Sequence, residues 1–215
     1  MRVVGVGAGG HAKVVIEILR QLPDCEIVGL IDSRPELWQT ELLGIKVLGD
    51  DRLLPELRGR GIDHAFIGLG TIGDTTARRE LYHKVVNCGF QIASAVDQTA
   101  RVSPSANLGA GITVMAGAII NAAAHLGINV IVNTAAIVEH DCTIGDHVHI
   151  ATGARLSGGV IVHEGAHIGL GAIIRQRIKI GREAIVGAGA VVVKDVAPGT
   201  TVIGVPAKQL TRAKS

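Results

Sequence analysis

From Val102 onward an aliphatic residue returns at every sixth position: Val102, Leu108, Val114, Ile120, Leu126, Val132, Val138, Ile144, Ile150, Leu156, Val162, Ile168, Ile174, Ile180, Val186 and Val192. Ile, Leu and Val fill about a third of the region, so sixteen successive hits arise by chance on the order of once in tens of millions. Four residues after each member comes a second series, from Ala106 and Ile112 through Cys142 and Val148 to Val196, in which every position is small or aliphatic. Between the two series, three residues after the aliphatic, stand Gly111, Gly117, Gly153, Gly159, Gly165, Gly171 and Gly189. Glycine suits corners where the backbone takes positive φ. The pattern predicts a short strand, a tight corner and another short strand, always turning the same way. A chain that does this winds into a solenoid whose coils stack through strand hydrogen bonds about 4.8 Å apart.

The first ninety-odd residues follow different periods. Residues 2–7 read as a buried strand that runs into Gly7, Gly9 and Gly10, and a helix with apolar positions Val14, Val15, Ile18, Leu19 and Leu22 follows from about His11. A strand over Glu26–Ile31 ends in Asp32-Ser33, another over His64–Leu69 ends at Gly70, and a helix spans about Thr75–Cys88. Alternating strands and helices imply a small parallel sheet whose ligand edge lies at the strand C-termini. The glycine loop lets backbone approach a phosphate at a helix N-terminus, and Asp32 at the end of the second strand is placed to hold a ribose hydroxyl. Taken alone this is a weak signal, because such turns also serve packing. About 95 residues hold only half the sheet of a full dinucleotide fold.

Aromatic usage separates the two halves: Trp38, Phe66, Tyr82 and Phe90 are the only aromatics. A core without them must be narrow and lined by aliphatics of nearly one size. The reading is a domain of residues 1–96 followed by one of residues 97–215. Val102–Val138 contains no charged residue, and a hydropathy window would mark it as membrane-spanning; its Gly, Asn, Thr and Ser and its period of six mark a buried repeat instead. With 47% hydrophobic and 19% charged residues and a net charge of +2, the chain reads as a globular protein with no general call for nucleic acid or a membrane surface as partner. Three cysteines without a CxxC fit a reducing cytoplasm, and Cys142, inside the second series, reads as a buried small hydrophobe rather than a catalytic thiol.

The repeat resembles the hexapeptide-repeat family, whose coils are left-handed triangular prisms of eighteen residues, so the expected fold is an α/β Rossmann-like N-terminal domain followed by a left-handed parallel β-helix. The whole chain resembles one branch of that family, the sugar O- and N-acetyltransferases that include sialic acid O-acetyltransferases and UDP-4-amino-sugar N-acetyltransferases. The residues that carry this are Gly7-Ala-Gly-Gly-His11, Ile31-Asp32-Ser33, Ile67-Gly-Leu-Gly70, Val102-Ser-Pro-Ser-Ala106, Asn133-Thr-Ala-Ala-Ile-Val-Glu-His-Asp-Cys142 and Val202-Ile-Gly-Val-Pro-Ala-Lys208.

The resemblance implies that His140 is the general base and that Asp141, where some members carry the longer Glu, raises its basicity. Acyl transfer from a thioester needs a neutral nucleophile, and an imidazole oriented by a carboxylate suits the proton removal. Gly158, one coil after His140, leaves the groove beside it open. By resemblance His149, Gly158 and Leu170 contact acetyl-CoA, with a backbone amide near Gly158 placed to polarise the thioester oxygen. A stack of His149 on His167, purely structural, is the competing account of His149. The glycine loop (Gly7, Gly9, Gly10), His11, Asp32, Ser33 and Gly70 are expected to bind the nucleotide sugar. The family implies a cytoplasmic homotrimer with active sites between subunits, which would cover outward apolar residues such as Ile119, Ile131 and Ile137.

The expected activity is acetyl-CoA-dependent N-acetylation of a UDP-4-amino-6-deoxy sugar for glycan biosynthesis, with O-acetylation of a sialic-acid-type sugar as the alternative. Two more distant readings are a zinc carbonic anhydrase and a non-catalytic nucleotide-binding scaffold. The former's pair of histidines five residues apart is missing: His163 and His167 are four apart, His147 and His149 two. No metal is expected to be required.

Overall fold

The computed structural model describes residues 1–210. Strand β1 (Arg2–Val6) is buried from Val3 to Val6, as a central parallel strand covered on both faces must be. Helix α1 (Gly10–Arg20) buries Ala12, Val15, Ile16, Ile18 and Leu19 on one side. The unit continues with β2 (Glu26–Ile31), β3 (Glu41–Leu42), β4 (Ile45–Gly49), α2 (Leu54–Gly59), β5 (His64–Ile67), α3 (Thr76–Asn87) and β6 (Gln91–Ile92). The strands lie in the order β3-β4-β2-β1-β5-β6, all parallel except the β3–β4 hairpin. The C-terminal ends of β1, β2 and β5 therefore open together beside the start of α1, where α/β sheets bind ligands. The hairpin turns through Leu43 (φ 50°) and Gly44 (φ 74°) and was not singled out by the hydrophobic pattern, since its strands are short and half exposed.

From Ala95 the chain forms a left-handed parallel β-helix of two-residue strands on three faces. Face one begins with Ala95–Val96, paired to Thr113–Val114, and carries Ile131–Val132, His149–Ile150 and His167–Ile168 above it. Face two stacks Arg101–Val102, Ile119–Ile120, Ile137–Val138, Arg155–Leu156 and Ile173–Ile174. Face three stacks Asn107–Leu108, His125–Leu126, Thr143–Ile144, Ile161–Val162 and Lys179–Ile180. Each partner lies eighteen residues on, and both apolar series point inward to one continuous core that includes the buried Cys142.

The corner glycines have φ of 65–68°. Seven other residues, Ala123, Asn129, Ala135, Asp141, His147, Arg177 and Glu183, occupy the same register with φ of 53–60°. A left-handed conformation costs a non-glycine residue roughly 1–2 kcal/mol. The coil below holds it in place, as when Ala135 N–H donates to the Ala116 carbonyl at 2.9 Å.

The N-terminal unit covers face one. Val15 and Leu19 of α1 share a cluster with Ala95, Met115 and Ile131 of the prism. Ile131, expected among the outward residues left for a partner, is only 1% exposed: the chain's own N-terminal unit buries it. At the other edge of the face, Thr75 Oγ1 donates to the Gly165 carbonyl at 3.0 Å and Arg79 pairs with Glu183 at 2.9 Å. Among the described residues no helix is long and apolar enough to cross a membrane.

Candidate active site

The glycine loop between β1 and α1 has its shape because side chains are missing. Gly7 has φ 101°, and a Cβ on Gly68 would stand 2.2 Å from the Gly7 carbonyl oxygen, so the turns after β1 and β5 can touch only as glycines. Gly9 and Gly10 differ: a Cβ at either would meet nothing within 4 Å. They leave open the N-terminus of α1, which has no side-chain cap and no acidic residue in its first turn. Uncapped N–H groups and the helix dipole favour an anion there.

Beside this loop a cleft of about 660 Å³ is lined by all seven residues expected at the nucleotide sugar: Gly7, Gly9, Gly10, His11, Asp32, Ser33 and Gly70. The prism supplies the opposite wall through Met115, Asn133, Thr134 and His149. Asp32 is already committed. Its carboxylate accepts from Ala8 N–H at 2.7 Å, from Arg34 N–H at 3.0 Å and from the Arg34 guanidinium at 2.9 and 3.0 Å. Arg34 foremost, and then the Ala8 amide, hold it down to about 2 against the opposing effect of burial. Asp32 thus ties the glycine loop to the end of β2, and a ribose hydroxyl would share oxygens that are already bonded.

His149 closes the cleft against the N-terminal unit. Asn133 Oδ1 accepts from Thr134 N–H at 2.8 Å and Thr152 Oγ1 at 3.2 Å, so its amide nitrogen faces His149 Nε2 at 3.2 Å. Nε2 is therefore the acceptor, and Nδ1 carries the proton toward Thr71, 2.7 Å from Oγ1 and 3.2 Å from the carbonyl oxygen. Burial, then His167 and Arg78, press its pKa down to about 3. The ring is neutral. It also meets His167 edge-on with centroids 4.9 Å apart, the stack foreseen from their spacing. Above it Thr71, Ile72, His149, His167 and Leu170 line a second cleft of about 400 Å³.

His140 lies at a different corner, between faces two and three. Its Nδ1 is 2.8 Å from Asp141 Oδ2, so the shorter carboxylate does reach the ring and leaves Nε2 unengaged by it. Asp141 bends back to do so at φ 60°. Neighbouring Glu139 accepts from Asn121 Nδ2 at 2.9 Å and from the His140 N–H at 3.3 Å. The backbone ladder Gly159 N–H to His140 carbonyl (2.9 Å) and Arg177 N–H to Gly158 carbonyl (3.1 Å) sets three coils of this corner in one column. Two coils above His140, Arg175 and Arg177 flank Gln176, and Lys194 and Asp195 of the third coil complete a cleft there with three basic side chains and one acidic.

The structure thus brings the residues expected at the nucleotide sugar together, and His140, Asp141 and Gly158 together, but sets the two groups at opposite edges of face two, with His149 and Leu170 on the side of the cleft and away from Gly158, with which they were expected. The sequence pattern did not single out Thr71 or Arg34, whose places depend on loop packing, or Arg78, which lies on the buried face of α3 with Tyr82 and Val85 at a position where an apolar residue is the ordinary choice. Among the described residues no group of three His, Cys, Asp or Glu side chains is arranged to hold a metal ion.

Residues 2–85 match the family model of the PglD N-terminal domain. The chain is 41% identical to a solved perosamine N-acetyltransferase from Caulobacter crescentus, a histidine-to-asparagine variant in complex with CoA and GDP-perosamine, over 99% of this chain and 98% of that one, with a TM-score of 0.91. It is 38% identical to the acetyltransferase domain of PglB from Neisseria gonorrhoeae FA1090 in complex with acetyl coenzyme A, over 97% and 98% of the two chains, with a TM-score of 0.86. WeeI from Acinetobacter baumannii AYE is 29% identical over 98% of this chain and 100% of its own, with a TM-score of 0.84. No curated protein sequence matches the chain.

Proposed function

The chain belongs to the hexapeptide-repeat sugar acetyltransferases, and from that premise we propose how its residues divide the work of acetylating a nucleotide-linked 4-amino sugar. The enzyme is an acetyl-CoA-dependent N-acetyltransferase. The N-terminal cleft holds the nucleotide sugar, its diphosphate against the glycine loop and the uncapped start of α1. The observation that carries this reading is that seven residues scattered from Gly7 to Gly70 line one cleft, and that the wall facing them comes from the acyltransferase prism.

His140 is the base. The neutral amine attacks the thioester carbonyl, a C–N bond forms, and the amine proton passes to His140 Nε2 while Asp141 steadies the resulting imidazolium through Nδ1. The C–S bond then breaks and the proton goes to the departing thiolate, which leaves the amide and CoA. Arg175 and Arg177 two coils above His140, and Lys194 three coils above it on the same corner, suit the anionic end of CoA, and Gly158 leaves room for the arm between.

Base and nucleotide-sugar cleft lie at different corners, so a second copy completes the site. Face two separates them and presents the outward column Ile119, Ile137, Arg155 and Ile173, the last 43% exposed, with no cover from the N-terminal unit. A homotrimer packed on these faces would bury the column and bring His140 of one copy to the cleft of the next. A cytoplasmic setting is supported by the free cysteines Cys25, Cys88 and Cys142 and by the need for acetyl-CoA.

Purified protein with acetyl-CoA and either GDP-perosamine or a UDP-4-amino-6-deoxy sugar tests this through thiol release. Release that depends on one of these sugars, with an amide in the product, is expected. Release only with sialic acid would replace the amine acceptor by a hydroxyl.

A further inference from the structure

Behind the glycine loop lies a charge that acyl transfer does not use. Arg78, in the first turn of α3, is 3% exposed. None of the ion pairs among the described residues includes it. Its Nη1 donates to the Ile67 carbonyl at 3.0 Å and to the Leu69 carbonyl, and lies 3.3 Å from His11 Nε2. Its Nε, also buried, has no partner. Burial pulls the guanidinium down to about 9, which leaves it cationic at neutral pH. Among the described residues the other buried charged side chain, Asp32, is matched by Arg34, whereas Arg78 has no carboxylate partner. Neutral donors would satisfy two carbonyls equally well, so the charge itself is surplus to packing, and an uncompensated buried charge is strongly unfavourable.

The second observation concerns His11. A guanidinium can only donate, so Nε2 of His11 accepts, and burial first, then Arg78 and His149, hold that ring well below its ordinary pKa. The one ring proton therefore sits on Nδ1. The ring lies beside Gly70, where a Cβ would stand 3.2 Å from His11 Cβ and 3.8 Å from Nδ1, and both residues line the cleft. His11 offers the cleft an N–H, not a lone pair.

We propose that Arg78 is a positioning residue for the diphosphate of the nucleotide sugar: its unpaired charge holds the glycine loop at positive potential, and its bond to His11 fixes the tautomer that donates to a phosphate oxygen. The assignment rests on the nucleotide-sugar reading of the cleft. It gives Arg78 no contact with the reacting atoms and names the ligand that supplies the missing counter-charge.

Nitrogen-15 NMR of the histidine rings in the wild-type protein, with His11 assigned by a His11→Gln variant, tests the tautomer without disturbing Arg78. An Nδ1–H ring at neutral pH is expected; an Nε2–H ring or an imidazolium would overturn the proposal. Titration with GDP, UDP, inorganic pyrophosphate and the bare nucleosides tests the charge. Arg78→Met should weaken the preferred nucleoside diphosphate and pyrophosphate by roughly tenfold to a hundredfold and leave the nucleoside unchanged, and Arg78→Lys should recover most of the loss. In turnover the same variant should raise KM for the nucleotide sugar far more than it lowers kcat. A folded Arg78→Met protein that binds diphosphates like wild type would overturn this assignment alone. A wild-type protein that binds no diphosphate of any kind would overturn the nucleotide-sugar reading, and this assignment with it.

Discussion

The imidazole of His140 lies over Gly158 of the next coil, where a Cβ would stand 2.6 Å from Cε1 and 2.7 Å from Nε2. The ring has its place because residue 158 has no side chain, and the ladder bond from Gly159 N–H to the His140 carbonyl keeps the coils from separating to admit one. Because the His140 side chain is 62% exposed, it can swing away from an added methyl at little cost to the fold. Gly158→Ala should therefore shift stability by no more than about 0.5 kcal/mol yet lower kcat roughly tenfold to a hundredfold through misplacement of the base. Paired thermal melts and initial rates check both halves; an unchanged kcat would remove Gly158 from the site.

Asp141 calls for a different substitution. Its φ of 60° is one that Asn adopts at lower cost than Ala, so Asp141→Asn isolates the charge from the backbone. Loss of the carboxylate that fixes the His140 tautomer should lower kcat about tenfold or more, with the melting temperature unmoved. Full activity would mean that the 2.8 Å contact orients nothing of consequence.

Much of this was legible in the chain. Sixteen aliphatics six apart point to one continuous buried core, and its place two residues after Val138 in the repeat puts His140 at an outward corner. The left-handed corners were foreseen only where glycine marks them; Ala135 or Glu183 in the same conformation carries no sign in its residue type, because the neighbouring coil imposes it. Ile131 looked like an interface residue since periodicity tells inside from outside of a coil, not what packs on the outside. Thr71 and Arg78 escaped for the same reason. Their partners, His149 and His11, lie 78 and 67 residues away, and no local pattern records such meetings.

The neutral histidines make the junction acid-sensitive. His149 titrates near 3 when folded and near 6.5 when unfolded. Between those values the unfolded chain binds a proton that the folded protein refuses, so stability is complete above 6.5 and falls as pH drops toward 3. A His149→Gln variant should lose about 1.4 kcal/mol less per pH unit across that window than wild type. Denaturant melts at pH 7, 5.5 and 4.5 measure the difference; parallel curves would show that His149 is not held neutral.

The separation of base and cleft predicts complementation between subunits. A His140→Ala protein and a protein whose cleft is blocked by Gly10→Trp should each be inactive. Unfolded together and refolded, they should regain activity, since mixed assemblies contain sites with both parts intact. No recovery, or a monomer by sedimentation, would require one chain to hold the whole site.

The most direct test of the central claim is the rate of amide formation from acetyl-CoA and the nucleotide-linked 4-amino sugar by wild type and by His140→Ala, at matched folding and substrate saturation. The expected result is turnover by wild type and a loss of roughly a hundredfold to ten-thousandfold in kcat for the variant, with nucleotide-sugar affinity unchanged. A variant that acetylates at the wild-type rate would contradict the account.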